Sequence, residues 1–172
     1  GRRLYGTDFT VPADRIVAGT YLAACMCAGG KVFLQDAPCS HMESVLACAR
    51  KMGTEVVCEK DGILGSGRAL KPLEEELVTA CYPGFPTDLQ SLFMVAMVLS
   101  GSVGWIRETV FENRYRIVPE LRRMGADITI QGAKAYIRPA DGLHGAIVEA
   151  KELRGGAALV AAALAAEGTS IV

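Results

Sequence analysis

Three short stretches of this chain gather the residue types that acid–base and anion chemistry require. The first is Tyr82-Pro83-Gly84-Phe85-Pro86-Thr87-Asp88-Leu89-Gln90, in which a carboxylate follows a turn-rich segment and opens a long apolar run. Thr87 and Gln90 are three residues apart and form a capping-box pattern, which places Asp88 in the first turn of a helix. Two roles are open to Asp88: a simple complement to the helix dipole, or a general base. A carboxylate at a helix N-terminus is a weak base, but like-charge repulsion from a bound anionic substrate would strengthen it.

The second stretch, Arg107-Glu108-Thr109-Val110-Phe111-Glu112-Asn113-Arg114-Tyr115, reads as a strand end running into a polar turn and then a helix. Such turns expose side chains at the carboxyl edge of a sheet. The planar guanidinium of Arg114 suits a carboxylate or phosphate, although an ordinary surface arginine has the same local pattern. In the third stretch, Glu152-Leu153-Arg154 opens another apolar run and is followed by two glycines that allow close backbone approach. Arg154 there is either an anion ligand or half of a surface ion pair. Arg15, beside Asp14, holds the matching place at the start of an earlier run.

Metal and nucleophile chemistry find less support. Cys25 and Cys27 lie two apart on a predicted helix, so they face different sides and read as small buried hydrophobes. His41 and His144 are the only histidines, too few and too isolated for a metal site, and no P-loop, GxSxG or HExxH is present. No metal or other cofactor is expected.

The elements that must position these residues repeat along the chain. Ala28-Gly29, Ser100-Gly101 and Glu167-Gly168 each close an apolar helical run and open a strand, and the two intervals between them are nearly equal. Arg50-Lys51-Met52-Gly53 returns as Arg122-Arg123-Met124-Gly125, at the same interval that separates Gly29 from Gly101. A period this long marks a duplicated supersecondary unit. Repeats are expected over about 8–80, 81–145 and 146–172, within one domain spanning 1–172, the third truncated in mid-strand. Each copy reads as an acidic residue (Asp14, Asp88, Glu152), an apolar helix (16–28, 89–100, 153–166) and a strand (31–35, 104–110, 169–172). The first two continue with an amphipathic helix (42–51, 115–123) and a hairpin (55–59 with 62–65, 127–131 with 135–138). The unit is βαβαββ-like.

Helices that are apolar nearly all round must be buried on all sides, so the expected fold is an inside-out α/β barrel of repeated βαβαββ units around buried helices. Superposable copies would gather the three helix N-termini at one end, which favours anionic ligands.

With 172 residues, 51% hydrophobic and 22% charged, the chain is long enough for one sizeable core. A formal net charge of −1 argues against a nucleic-acid surface, and the most apolar run, 155–166, is too short to span a bilayer. Neither the number nor the spacing of the six cysteines matches a secreted disulfide scaffold, and the first residues lack a signal-peptide core, so a reducing cytoplasm is the simpler reading.

Four segments carry a family resemblance: 7–16, 85–90, 108–114 (Glu108-Thr109-Val110-Phe111-Glu112-Asn113-Arg114) and 118–126 (Val118-Pro119-Glu120-Leu121-Arg122-Arg123-Met124-Gly125-Ala126). They resemble the UDP-N-acetylglucosamine 1-carboxyvinyltransferases, enolpyruvyl transferases of early peptidoglycan synthesis, and the resemblance runs from end to end. It implies a two-domain enzyme, each domain an inside-out barrel, closing over phosphoenolpyruvate and UDP-N-acetylglucosamine. The implied reaction adds the sugar 3-hydroxyl to C2 of phosphoenolpyruvate while C3 is protonated, then expels phosphate from the tetrahedral intermediate. Asp88 matches the family aspartate at the sugar hydroxyl, its candidate base. Val110 matches a position whose backbone contacts the UDP-sugar. Arg114 and Arg154 match arginines on the phosphoenolpyruvate side.

The family's acid is a cysteine on a loop of the other domain, and that loop is absent here, as are the family's N-terminal lysine and asparagine. Taken alone, the chain is therefore expected to be inactive and to lack its second domain. The other reading is a non-catalytic repeat domain with a binding or regulatory role.

Overall fold

The first long helix forms where the sequence places a cap ahead of an apolar run. In the structure, a computed structural model describing residues 3–172, α1 spans Arg15–Ala28. Asp14 Oδ1 accepts hydrogen bonds from the Ile16 and Val17 amides at 2.7 and 3.2 Å. Gly29, at φ 78°, ends the helix in a conformation that costs other residues steric energy. β1 (Gly30–Gln35), α2 (Glu43–Lys51), β2 (Glu55–Glu59) and β3 (Gly62–Gly67) follow. The three strands form an antiparallel sheet in the order β1-β3-β2. Its end lies so close to α1 that a Cβ on Gly67 would overlap the Cys25 carbonyl oxygen.

A second set begins with the short β4 (Leu77–Val78), which pairs parallel to β5 (Gly104–Arg107) across the intervening α3 (Gln90–Leu99). After α4 (Val118–Arg123) come β6 (Asp127–Gln131) and β7 (Lys134–Arg138), completing a mixed sheet in the order β4-β5-β7-β6. The two hairpins start at Glu55 and Asp127, in equivalent places of the first two sets. The third set contains α5 (Leu153–Ala165), flanked by parallel bridges from His144 to Glu167 and from Ile147 to Ile171.

α1, α3 and α5 contact one another pairwise. Every residue from Gln90 to Val98 is buried, so α3 needs no polar face. Phe93 is fully buried and meets the Phe85 ring edge-on at a centroid distance of 4.9 Å.

Several expectations need correction. Burial on all sides holds for α3 alone: Tyr21 on α1 is 61% exposed, and Leu164 on α5 is 61% exposed. The reason is cover, because α3 lies between its neighbours whereas α1 and α5 each leave one apolar strip unpacked. The fold is mixed α/β with two open sheets, and among the described residues these do not close into a barrel. The first set has no strand ahead of α1 in residues 3–14. The strand expected over 104–110 ends at Arg107, beyond which the Thr109 amide turns to the Thr79 hydroxyl and the Val110 and Phe111 amides to the Glu108 carboxylate. The strand expected over 169–172 is reduced to a single bridge at Ile171. α4 starts at Val118 rather than at 115, since Tyr115 turns inward. Cys39 and Cys58 are joined as a disulfide that links the turn before α2 to β2, a pairing that residue spacing did not announce.

Truncating Phe93 to alanine removes the largest fully buried side chain at the centre of these contacts. Equilibrium urea unfolding is expected to show a loss of about 3–5 kcal/mol; a loss below about 1 kcal/mol would contradict a central role for α3.

Candidate functional site

Asp88 sits in a 3₁₀ turn, Thr87–Leu89, that leads into α3. The capping box does not form there. The Thr87 hydroxyl instead donates to Glu108 Oε2 at 2.8 Å, and Gln90 is fully buried. α3 consequently starts without a side-chain cap, whereas Asp14 caps α1 and Glu152 caps α5 through the Gly155 amide at 3.0 Å. Of the three helix starts expected to face anions, two are thus occupied by their own carboxylates.

Relieved of capping, Asp88 turns its carboxylate toward two arginines. Its Oδ1 lies 3.3 Å from Arg114 Nη2 and 3.4 Å from Arg154 Nε. Arg114 Nη1 also lies 3.6 Å from Glu152 Oε2. The cluster therefore contains two guanidinium groups and two carboxylates, and its formal charges balance. Asp88 Oδ2 accepts no hydrogen bond from the described residues. An incoming carboxylate or phosphate can exchange with Asp88 for the arginines, leaving Asp88 free to take a proton.

Arg114 is held from below and behind. The Phe111 ring lies under its guanidinium at 4.8 Å, a cation–π arrangement. The next residue, Tyr115, is buried, with its hydroxyl within hydrogen-bond distance of the Ile106 carbonyl (2.9 Å) and the Ala133 carbonyl (3.0 Å). Burial pushes the Tyr115 phenol up to about 12. Asn113, at φ 57°, makes the sharp turn between these anchors. The 108–116 loop lines a groove of about 920 Å³ together with Ile130, Gly132 and Ala133.

The structure thus brings Asp88, Arg114 and Arg154 together. Val110 lies in the same loop, but its N–H already donates to Glu108 Oε1 at 2.8 Å, which leaves its carbonyl for a ligand. Arg15 does not join the cluster; its guanidinium lies over the Tyr82 ring at 5.0 Å. Sequence reasoning missed the roles of Glu108 and Phe111, and of Thr79, whose hydroxyl donates to Glu108 at 2.8 Å. Only Thr109 neighbours Glu108 in the sequence, and Thr79 and Thr87 lie 29 and 21 residues upstream, so no local pattern announced these contacts. Among the described residues no group of three His, Cys, Asp or Glu is placed to hold a metal ion, and no helix is long and apolar enough to cross a membrane.

The profile of the EPSP synthase (3-phosphoshikimate 1-carboxyvinyltransferase) family matches residues 1–172. The chain is 46% identical over 171 residues to the UDP-N-acetylglucosamine 1-carboxyvinyltransferase of Zymomonas mobilis, covering 99% of this chain and 40% of that protein. It is 44% identical over 173 residues to the protein of the same name from Bartonella tribocorum, again covering 99% and 40%. The chain therefore spans about 40% of the length of these relatives. Among solved structures, the enolpyruvyl transferase NikO from Streptomyces tendae superposes with a TM-score of 0.80 at 24% identity, over 92% of this chain and 38% of that one. An EPSP synthase from Acinetobacter baumannii gives 0.66 at 20% identity, over 93% and 39%.

The free cysteines stand apart from the charged cluster. Burial pushes the thiols of Cys27 and Cys48 up to about 12, with Glu75 adding to the effect at Cys48. Cys81 is exposed. At pH 8 a thiol titrating that high holds roughly one thiolate in ten thousand, so it reacts slowly. Iodoacetamide applied to the native protein at pH 8 is expected to modify Cys81 first, and Cys27 and Cys48 only after unfolding, as read by peptide mass spectrometry. Early labelling of Cys48 would contradict its burial, and early labelling of the half-buried Cys27 would contradict its raised pKa.

Proposed function

Because the chain belongs to the EPSP synthase family of enolpyruvyl transferases, we propose that it forms most of one domain of a UDP-N-acetylglucosamine 1-carboxyvinyltransferase. In this reading the whole enzyme moves the enolpyruvyl group of phosphoenolpyruvate to the 3-hydroxyl of UDP-N-acetylglucosamine, in the cytoplasm, at the start of peptidoglycan synthesis. The observation that carries the reading is the meeting of Asp88, Arg114 and Arg154, with both guanidinium groups within 3.4 Å of one carboxylate oxygen although the three residues come from separate segments of the chain. Each of the three matched a family position separately.

Asp88 takes the proton of the sugar 3-hydroxyl as that oxygen bonds to C2 of phosphoenolpyruvate. Arg114 and Arg154 by then hold the carboxylate and phosphate of phosphoenolpyruvate instead of Asp88, and they stabilise the negative charge on the phosphate as it departs and C3 gives up a proton to restore the double bond. The Val110 carbonyl contacts the UDP-sugar. The proton for C3 comes from the second domain, so the isolated chain is inactive. In the same reading the chain is built of three repeats, over about 8–80, 81–145 and 146–172. The strips left open on α1 and α5 are covered by the remainder of the third repeat, which closes an inside-out barrel. Relatives that extend well beyond this segment support that completion.

Two experiments test the proposal. Calorimetric titration of the isolated chain with UDP-N-acetylglucosamine is expected to give heat only at millimolar ligand, because half the site is missing; tight micromolar binding would contradict a divided site. In the complete reading frame that encodes this chain, Asp88→Ala is expected to lower kcat by about 10²–10⁴-fold with the melting temperature unchanged. Parent-level turnover in that variant would remove Asp88 from the chemistry.

A further inference from the structure

Glu108 takes no part in the transfer just described, yet it is only 5% exposed and pairs with no arginine or lysine among the described residues. An isolated buried carboxylate is costly unless its lone pairs are filled. Here four donors fill them, and they come from both halves of the site. Oε2 accepts from the Thr87 hydroxyl at 2.8 Å, and Thr87 immediately precedes Asp88. Oε1 accepts from the Thr79 hydroxyl at 2.8 Å and from the amides of Val110 and Phe111 at 2.8 and 3.1 Å. Phe111 in turn supports the Arg114 guanidinium. One side chain thereby ties the turn that carries Asp88 to the loop that carries Val110 and Arg114.

We infer that Glu108 is a positioning residue of the transferase, setting the placement of Asp88 against Arg114 and the presentation of the Val110 carbonyl. This inference rests on the proposed roles of Asp88 and Arg114. The role is geometric, and that gives it a signature. A glutamine keeps its oxygen for the three donors at Oε1, and its amide can donate to the Thr87 hydroxyl, which turns to accept. An aspartate keeps the charge but is one methylene too short to reach both segments.

The complete reading frame that encodes this chain is assayed for kcat, for KM of both substrates, for the pH profile of kcat and for melting temperature. Glu108→Gln is expected to lose about threefold in kcat with an unshifted pH profile. Glu108→Asp and Glu108→Ala are expected to lose about 100-fold, with KM changing less than about threefold, since small misplacements of reacting groups cost this much. Thr87→Val, which removes only the contact beside Asp88, is expected to lose about tenfold. Parent-level turnover in Glu108→Asp or in Thr87→Val overturns the inference. So does a Glu108→Gln variant as impaired as Glu108→Asp with a changed pH profile, which would make Glu108 a proton-transfer group. If Glu108→Ala and Glu108→Asp fail to fold, Thr87→Val and Glu108→Gln decide the question by the same criteria. An inactive parent overturns the proposed function and this inference with it; an active parent with indifferent variants overturns the inference alone.

Discussion

A helix with no polar face is stable in water only if something covers every side of it, and α3 is such a helix. Its buried residues run without interruption from Gln90 to Val98. Cover comes from α1 and α5, which pack on it and on each other, and from β7. The rest of the architecture follows from that demand. The parallel pairing of β4 with β5 brackets α3, as the bridges from His144 to Glu167 and from Ile147 to Ile171 bracket α5. Because α3 and α5 are packed together, the turn ahead of one lies beside the start of the other, and Asp88 reaches Arg154.

The charged cluster at that junction is balanced but not sealed. Asp88 and Arg114 retain partial exposure, at 35% and 18% of their side chains, so their pairing is screened by water and contributes little to stability. Such a pair is well suited to exchange: a ligand anion can replace the Asp88 carboxylate on the arginines at small cost. The supports beneath it are of a different kind. Glu108, Tyr115 and Thr79 are buried and hydrogen-bonded, so the loop that presents Arg114 is fixed by groups that solvent does not reach. Adaptable charges therefore stand on a rigid polar base.

Much of the local structure was legible in the residues themselves. Asp14 ahead of an apolar run marked the start of α1, Gly29 marked its end, and the return of Arg50-Lys51-Met52-Gly53 as Arg122-Arg123-Met124-Gly125 anticipated two hairpins in equivalent places. Asp88, Arg114 and Arg154 were also singled out there, and the structure brings them together. The capping box expected at Thr87 does not form, because a pattern of side chains three apart carries no information about Glu108, which takes the Thr87 hydroxyl instead. Complete burial of α1 and α5 fails for a related reason: hydrophobicity says that a face seeks cover, not that cover is present.

Sequence by itself determined the helices and hairpins, their repetition, and which residues have the right functional groups, since caps, glycines and hydrophobic period act within a few residues of one another. Only the tertiary structure decided that one oxygen of Asp88 is shared by two arginines, that the Val110 amide is already occupied, and that a single buried glutamate joins the two halves of the site. The contacts from Asp88 to Arg154 and from Thr87 to Glu108 join segments far apart in the chain. Packing of the apolar helices sets them, and no local pattern encodes that packing.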